Sequence, residues 1–209
     1  MVIDNDVSRM RGCAESARAY YANPFGITAP GPLPEAIVTV DAHSAAPPAL
    51  RRRYVTFNDC SIEPRILAMS LNDMLVMHAS TDAHHVTKVD GMGATIAQML
   101  MTTEDQEKSL VHPGRYIIHS VLFPTWMQTP LVVTPNWFYD QTNREGHYRI
   151  EGVPVGTHTM HAWFPGVGPV DATITIAAGA TAQQDFAVSP LPPSAVRPPV
   201  APDAGPIIP

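Results

Sequence analysis

Short segments in which apolar and polar residues alternate constrain the fold of this chain more than any other feature. Examples are residues 36–40 (Ala-Ile-Val-Thr-Val), 53–57 (Arg-Tyr-Val-Thr-Phe) and 172–176 (Ala-Thr-Ile-Thr-Ile). A period of two places successive side chains on opposite faces of a strand. Short strands at regular spacing, separated by Gly and Pro turns, predict a mainly β fold, an antiparallel β-sandwich.

Further strands are predicted at 66–70, 75–77, 116–118, 130–133, 148–150 and 159–163. Two segments depart from the alternation. Residues 6–21 carry Ala, Arg and Glu and predict a short N-terminal helix. Residues 92–110 place Met, Ile and Leu at helical spacing and predict a helix packed on the sheet. Met at this spacing is more often adaptable core filler than a soft-metal surface.

Composition excludes several classes of protein. Of the 209 residues, 45% are hydrophobic and 15% are charged, which is typical of one large or two small globular domains. The net charge of −6 argues against nucleic-acid binding, and the basic run 51–53 is interpreted as a solvated strand entry. No apolar run reaches the roughly twenty residues that span a membrane. Residues 1–6 are acidic, so we expect no signal peptide in this sequence.

The two cysteines, Cys13 and Cys60, fit either one disulfide or two unrelated thiols. Neither lies in a Cys-x-x-Cys or zinc-type spacing. Low Lys content, high Pro and Thr content and the β-rich pattern favour a periplasmic or extracellular location. Disulfides persist in such a location, so we favour the bond.

The chain divides into four segments by composition and period. Residues 1–33 form an N-terminal arm, residues 34–133 a first β-sandwich, and residues 134–189 a second β unit. The last segment, 190–209, is dense in Pro and Ala and cannot donate to a sheet ladder. This tail is either a disordered end or an arm that docks on a neighbouring subunit or an aromatic groove.

Two stretches carry a family likeness. In the first, residues 57–67 (Phe-Asn-Asp-Cys-Ser-Ile-Glu-Pro-Arg-Ile-Leu) look like an Asn-x-Cys-x-x-x-Pro opening, and His84, His85 and Val86 match a His-Asn-Val metal segment. In the second, residues 146–163 are similar to a Gly-x-(Phe/Tyr)-x-Ile-x-x-Val-Pro-x-Gly signature that ends in Trp. The chain thus resembles bacterial cupredoxin-like proteins, of methylamine-utilisation or plastocyanin-like type, whose sandwich runs into a carboxypeptidase-regulatory-like unit of transthyretin type.

This resemblance assigns the cupredoxin-like sandwich to residues 34–133 and the carboxypeptidase-regulatory-like unit to residues 134–189. It also implies a metal loop of pattern Cys-x-x-His-Pro-Trp-Met. The best alignment places Ser120 at the Cys, Phe123 at the His and, after one inserted residue, Met127 at the Met. A blue-copper site needs a Cys thiolate and two imidazoles, which Ser and Phe cannot supply. The copper site is therefore expected to be degenerate.

The candidate metal ligands that remain are His84, Met127, His85 and His119, with His78 in the same segments. Several neutral imidazoles with a thioether would suit Cu(I), or Cu(II) without the Met bond. We favour the alternative that these histidines are loop residues hydrogen-bonded to backbone, because their spacing defines no coordinating set. No cofactor is therefore expected, and copper is kept as the alternative.

Catalytic signals are weak. Ser80, Asp82 and His84 lie close in sequence, but a catalytic triad is defined by geometry and seldom lies in one loop. His158 and His161 stand three apart on a predicted strand and should face opposite sides. A carboxypeptidase-regulatory-like unit is an accessory module and implies no peptidase activity. We expect a protein that is not an enzyme.

These observations favour a non-enzymatic structural or binding subunit of a larger extracytoplasmic assembly, built on a cupredoxin-like scaffold. Its partners would be proteins, including further copies joined through the terminal arms. Trp126, Trp137, Phe138 and Trp163 could form a contact surface, pack in the core or stack on sugars. The alternative function is a copper-binding or electron-transfer cupredoxin with an altered His/Met site.

Overall fold

The computed structural model describes residues 13, 30–43, 49–58, 60–80, 85–91, 94–100, 104–120 and 127–189. Every regular element within them is a strand, which confirms the predicted β class. The strands are β1 Ile37–Val40, β2 Arg52–Phe57, β3 Ile62–Glu63, β4 Leu67–Ser70, β5 Met74–Ala79, β6 His85–Gly91, β7 Ala94–Leu100, β8 Gln106–Lys108, β9 Gly114–Ser120, β10 Gln128–Thr134, β11 Tyr139–Gln141, β12 Gly156–Trp163 and β13 Val170–Ile176. No helix long and apolar enough to cross a membrane occurs in this described part.

The strands form three sheets. The front sheet has the order β3-β2-β5-β8, the middle sheet β4-β10-β9-β6-β7, and the rear sheet β11-β1-β12-β13. Most neighbours pair antiparallel, as predicted, but β2 pairs parallel with β5 and β4 pairs parallel with β10. Periodicity gives the faces of a strand and not the direction of its neighbour, which is why the sequence did not reveal these two pairs.

Apolar side chains fill the space between the layers. The first core joins the front and middle sheets, with Phe57 and Leu131 as members, and the second joins the middle and rear sheets. A third core lies on the far face of the rear sheet. Ile37 of β1 belongs to the second core and Val38 to the third. Because both faces of β1 are covered, its sequence is nearly all apolar.

Two predicted elements are wrong. Instead of a helix, residues 92–110 contain strands β7 and β8, and β7 pairs with β6 along its whole length. Backbone pairing outweighs the helical spacing of the apolar residues there. Residues 148–150 belong to no strand, and the Arg149 N–H donates to Asp140 Oδ2 at 2.7 Å. Except for Cys13, the predicted helix 6–21 lies outside the described residues.

The predicted disulfide is confirmed. Cys13 and Cys60 are bonded, with their Cα atoms 5.3 Å apart, and Cys13 is only 1% exposed. The bond ties the N-terminal arm to the turn between β2 and β3. Strand β1, which the predicted boundaries place in the first sandwich, pairs with β11 and β12 of the second unit.

Candidate functional site

The described metal candidates lie on opposite faces of the middle sheet. Met127 is 1% exposed in the first core, and Ser120 at the end of β9 is also buried. The preceding residue, His119, points to the other face because successive strand side chains alternate. Its Nε2 lies 2.8 Å from Oδ2 of the buried Asp90. His119 and Met127 are therefore not brought together.

Most of the remaining candidate metal ligands lie outside the described residues. His84 and Phe123 are not among the described residues, and for His85 only the backbone, at the start of β6, is described. His78 is described, and its Nδ1 lies 2.7 Å from Asp105 Oδ1 on the exposed side of β5.

The donor atoms do not fit a blue-copper centre. Both cysteines of the chain are consumed by the disulfide, so no thiolate can be offered. Within the described ranges, no three His, Cys, Asp or Glu side chains form a group that could hold a metal ion. Among the described residues Asp90 Oδ1 is buried without a hydrogen-bond partner, but the imidazole beside it already contacts Oδ2. A carboxylate and one imidazole cannot replace the soft anionic ligand that gives a blue site its character.

We therefore expect the purified protein, titrated with Cu(II), to show no intense thiolate-to-copper absorption towards the red end of the visible spectrum. Weak absorption from imidazole-bound Cu(II) would be compatible with this result. An intact blue-copper protein, titrated in parallel, provides the positive control. A strong blue colour in the unreduced chain would contradict the assignment of both cysteines to the disulfide.

The serine of the local Ser/Asp/His cluster has structural partners. Ser80 Oγ donates to Asn58 Oδ1 at 2.5 Å and lies 3.3 Å from the Phe57 carbonyl oxygen. These contacts fix the end of β5 against the end of β2. Asp82 and His84 lie outside the described residues.

A polar network that the sequence did not reveal joins the front and rear sheets. Asp73 is 2% exposed in the turn between β4 and β5. Its carboxylate accepts from Arg51 Nε at 3.0 Å, from the Tyr139 hydroxyl at 2.7 Å and from the Ser70 N–H at 2.8 Å. The Arg51 and Arg53 guanidinium groups lie 5.0 and 5.8 Å from the Tyr139 ring centroid. The network clamps the second unit to the first sandwich.

The electrostatics of this network follow from its geometry. Burial alone would raise the pKa of Asp73, but the hydrogen bonds from Ser70, Arg51 and Tyr139 outweigh it and lower that pKa. Burial raises the pKa of the Tyr139 phenol. The interpretation of residues 51–53 as a solvated strand entry holds for Arg52, whose side chain is 57% exposed, but not for its two neighbours, which contact Tyr139.

The C-terminal unit contains an open cleft of about 600 Å³. Residues 146–153 form one wall, residues 180–185 form another, and the third core forms the floor. The large apolar side chains in the lining are Val40, Tyr148, Ile150, Val153, Met160, Ile174 and Ile176. Tyr148 donates its hydroxyl to the Gln184 carbonyl oxygen at 2.6 Å, which holds the two walls together.

The aromatic residues proposed as a contact surface have different environments. Phe138 is 1% exposed and belongs to the third core, with Trp137 packed against it. Trp163 packs on the second core and lies 5.0 Å from the Arg115 guanidinium. Trp126 lies outside the described residues. The described tryptophans therefore support the interior rather than form one exposed platform.

A histidine on the rear sheet bridges two carboxylates. His161 Nδ1 lies 2.7 Å from Asp171 Oδ1, and its Nε2 lies 3.0 Å from Asp41 Oδ2. His158 is on the other face of β12, as predicted, with its Nε2 2.8 Å from the Pro154 carbonyl oxygen. The hydrogen bonds to Asp41 and then to Asp171 raise the pKa of His161.

This bridge predicts a pH-dependent contribution to stability. Because the folded-state pKa of His161 is raised, its stabilisation is complete below the ordinary His pKa of about 6.5 and is lost as pH rises through the folded value. We expect the difference in unfolding free energy between wild type and His161→Gln to shrink as the pH rises above about 6.5. Urea unfolding across this range measures it. A difference that grows with pH would contradict the bridge, and His147→Gln, at an exposed site, is the control.

Comparison with known proteins agrees with the resemblance stated for the C-terminal unit. Residues 132–189 match the carboxypeptidase regulatory-like domain family. The reduced state of an amicyanin mutant has 16% identity and a TM-score of 0.36, covering 46% of this chain and 99% of its own. A Cu-containing nitrite reductase from Thermus scotoductus SA-01 has 18% identity and a TM-score of 0.36, covering 46% of this chain and 24% of its own. No curated protein matches. The family match confirms that the C-terminal unit is similar to a carboxypeptidase regulatory-like domain, and cupredoxins are among the similar solved structures.

Proposed function

We propose that this chain is a non-enzymatic structural or binding subunit of a larger extracytoplasmic assembly, and that its C-terminal cleft receives a protein partner. The observation that carries the proposal is the cleft. Four of its apolar lining side chains, those of Tyr148, Ile150, Val153 and Ile174, are only half buried. A partner segment that covered them would remove apolar surface from water, which drives most protein association.

Charged groups surround this apolar lining. Arg149, Glu151 and Asp185 are exposed at the rim, and Arg149 Nε lies 2.7 Å from Glu151 Oε1. An apolar centre with a polar rim is the usual arrangement of a protein interface. The clamp formed by Arg51, Asp73 and Tyr139 supports this role because it holds the cleft-bearing unit against the first sandwich.

The proposed location rests on the disulfide. A bond between Cys13 and Cys60 persists in oxidising compartments such as the periplasm or the extracellular space. The copper-binding alternative requires ligands other than thiolate, and the Cu(II) titration described above separates the two functions.

The assembly role can be tested with a matched pair of valine variants. Val153 lines the cleft, whereas Val155 lies outside its lining and is 65% exposed. We expect Val153→Asp, and not Val155→Asp, to reduce the native mass of the protein in extracts of the producing cells. Size-exclusion chromatography of the extract, with immunodetection, measures this mass.

A charge reversal provides a second variant that should not affect folding. Asp185 is exposed at the rim, so Asp185→Lys should keep the thermal unfolding of the wild type and still weaken the assembly. Wild-type protein that elutes at the mass of one chain in the extract would refute the assembly role.

A further inference from the structure

The edges of the three sheets are protected to very different degrees. At the front sheet, β3 has two residues and β8 has three, with the sequence Gln-Glu-Lys. The middle-sheet edge at β4 is capped by side chains. Gln141 Oε1 accepts from the Ala68 N–H at 3.2 Å, and Arg53 Nε donates to the Ala68 carbonyl at 3.1 Å. Short, charged or covered edges do not readily pair with other chains.

Strand β13 is neither short nor covered by described side chains, and its one charged residue, Asp171, already pairs with His161 of β12. It is a seven-residue edge of the rear sheet, Val-Asp-Ala-Thr-Ile-Thr-Ile, without Pro or Lys. Its register with β12 is unbroken from Val170 to Ile176, so no bulge interrupts it. Thr and Ile are strong strand formers. Among edges whose side chains the structure describes, β13 is the only long one left open.

The hydrogen-bond pattern shows which backbone groups of β13 face outward. The Thr159 carbonyl accepts from the Asp41 N–H at 2.8 Å, so the Thr159 backbone faces β1. Thr159 lies opposite Thr173, and opposed residues of an antiparallel pair face each other or both face away. The N–H and C=O groups of Thr173 therefore point to the open edge. By alternation, those of Asp171 and Thr175 do the same.

We propose that β13 pairs antiparallel with β13 of a second copy, about a two-fold axis through Thr173. This register uses the whole strand and joins every outward N–H to an outward C=O. It places Asp171 opposite Thr175 of the other copy, and it keeps the two Asp171 carboxylates apart. Like charges placed directly opposite each other destabilise a strand pair.

The apolar side of β13 supports the same register. Ala172 and Ile174 are half buried on the cleft side of the strand. The two-fold axis places Ile174 opposite Ala172 of the second copy, so one apolar row continues into the other. An isologous contact of this kind closes after two copies.

The inference rests on the proposed function in one respect, since it names the first partner of the assembly. Antiparallel pairing keeps equivalent faces of two sheets on the same side. The rear sheets would therefore form one continuous sheet that presents both clefts in the same direction. The dimer would offer a partner two apolar sites instead of one.

Two lysine substitutions distinguish this register from other uses of the edge. Thr173 of one copy lies opposite Thr173 of the second copy at the two-fold axis, so Thr173→Lys brings two positive charges together. Thr175→Lys places the new charge opposite Asp171. We expect Thr173→Lys to raise the Kd of self-association at least about fivefold and Thr175→Lys to leave it unchanged or lower it. Sedimentation equilibrium of the purified full-length chain, over a concentration series, measures both constants.

A third variant tests whether backbone hydrogen bonds of β13 hold the two copies together. Since the Thr173 N–H points outward, Thr173→Pro removes one edge donor without breaking a bond to β12. It should abolish self-association with little change in thermal unfolding, while Thr173→Ala should retain association.

A monomeric wild type, or equal weakening by both lysine variants, would overturn the proposal. A wild-type monomer in purified form together with a large complex in extracts would overturn the self-pairing alone. A purified dimer with only dimer mass in extracts would overturn the wider assembly alone.

Discussion

Replacing Cys13 and Cys60 together by alanine should lower the free energy of unfolding by about 4 kcal/mol. The two residues are separated by 47 positions, so the disulfide removes much conformational freedom from the unfolded chain. Alanine is preferred to serine because Cys13 is 1% exposed, and a buried hydroxyl would add its own cost. Urea unfolding of the two proteins at one pH measures the change.

The wild-type protein unfolded in excess reductant serves as the control for the cysteine variant. Its stability should match that of the double alanine variant, because both lack the cross-link and keep the rest of the chain. A loss below about 1 kcal/mol would have one of two meanings. Either the unfolded chain stays compact without the cross-link, or the cross-link strains the folded state.

The second large effect concerns the buried carboxylate of the clamp. Asp73→Asn should cost about 3 kcal/mol, because the amide cannot satisfy Arg51, Tyr139 and Ser70 together, and buried polar groups without partners are costly. The lowered pKa of Asp73 also sets the pH dependence. Its stabilisation is present above the ordinary Asp value of about 3.9 and is lost as pH falls through the folded value.

Asp105→Asn is the matched control, since Asp105 pairs with His78 on the surface and its side chain is 43% exposed. Exposed ion pairs contribute little, so this change should cost less than about 0.5 kcal/mol. Equal losses from the two substitutions would show that the clamp does not hold the sheets together. Urea unfolding at neutral pH, repeated between about pH 4 and pH 2, gives both comparisons.

Much of the strand content could be predicted because alternation is a local signal. The pattern at 172–176 predicted most of β13, and the pattern at 159–163 predicted most of β12. Pairing partners are not local. The helix predicted at 92–110 was wrong because β6 supplies seven residues of antiparallel pairing that no composition reveals.

The candidate site was predicted only in part, for similar reasons. Ser120 at the expected Cys position indicated that a blue-copper site lacks its thiolate, and the disulfide uses the only thiols present. The Asp73 clamp gave no signal, because Tyr139 lies 66 positions away from it in sequence. A buried network that joins distant strands can be recognised only when the strands are assembled.

The position of β1 has a consequence for how the C-terminal unit can be handled and synthesised. The matched family region begins at residue 132, yet the centre of the rear sheet is β1, which lies between β11 and β12. A fragment limited to residues 132–189 would lack its central strand and would expose two inner edges. During synthesis, β1 emerges roughly a hundred residues before its partners, so this sheet depends on non-local contacts and should form late. To fold as an isolated fragment, the unit therefore needs residues 37–40, supplied in the same chain or as a separate peptide.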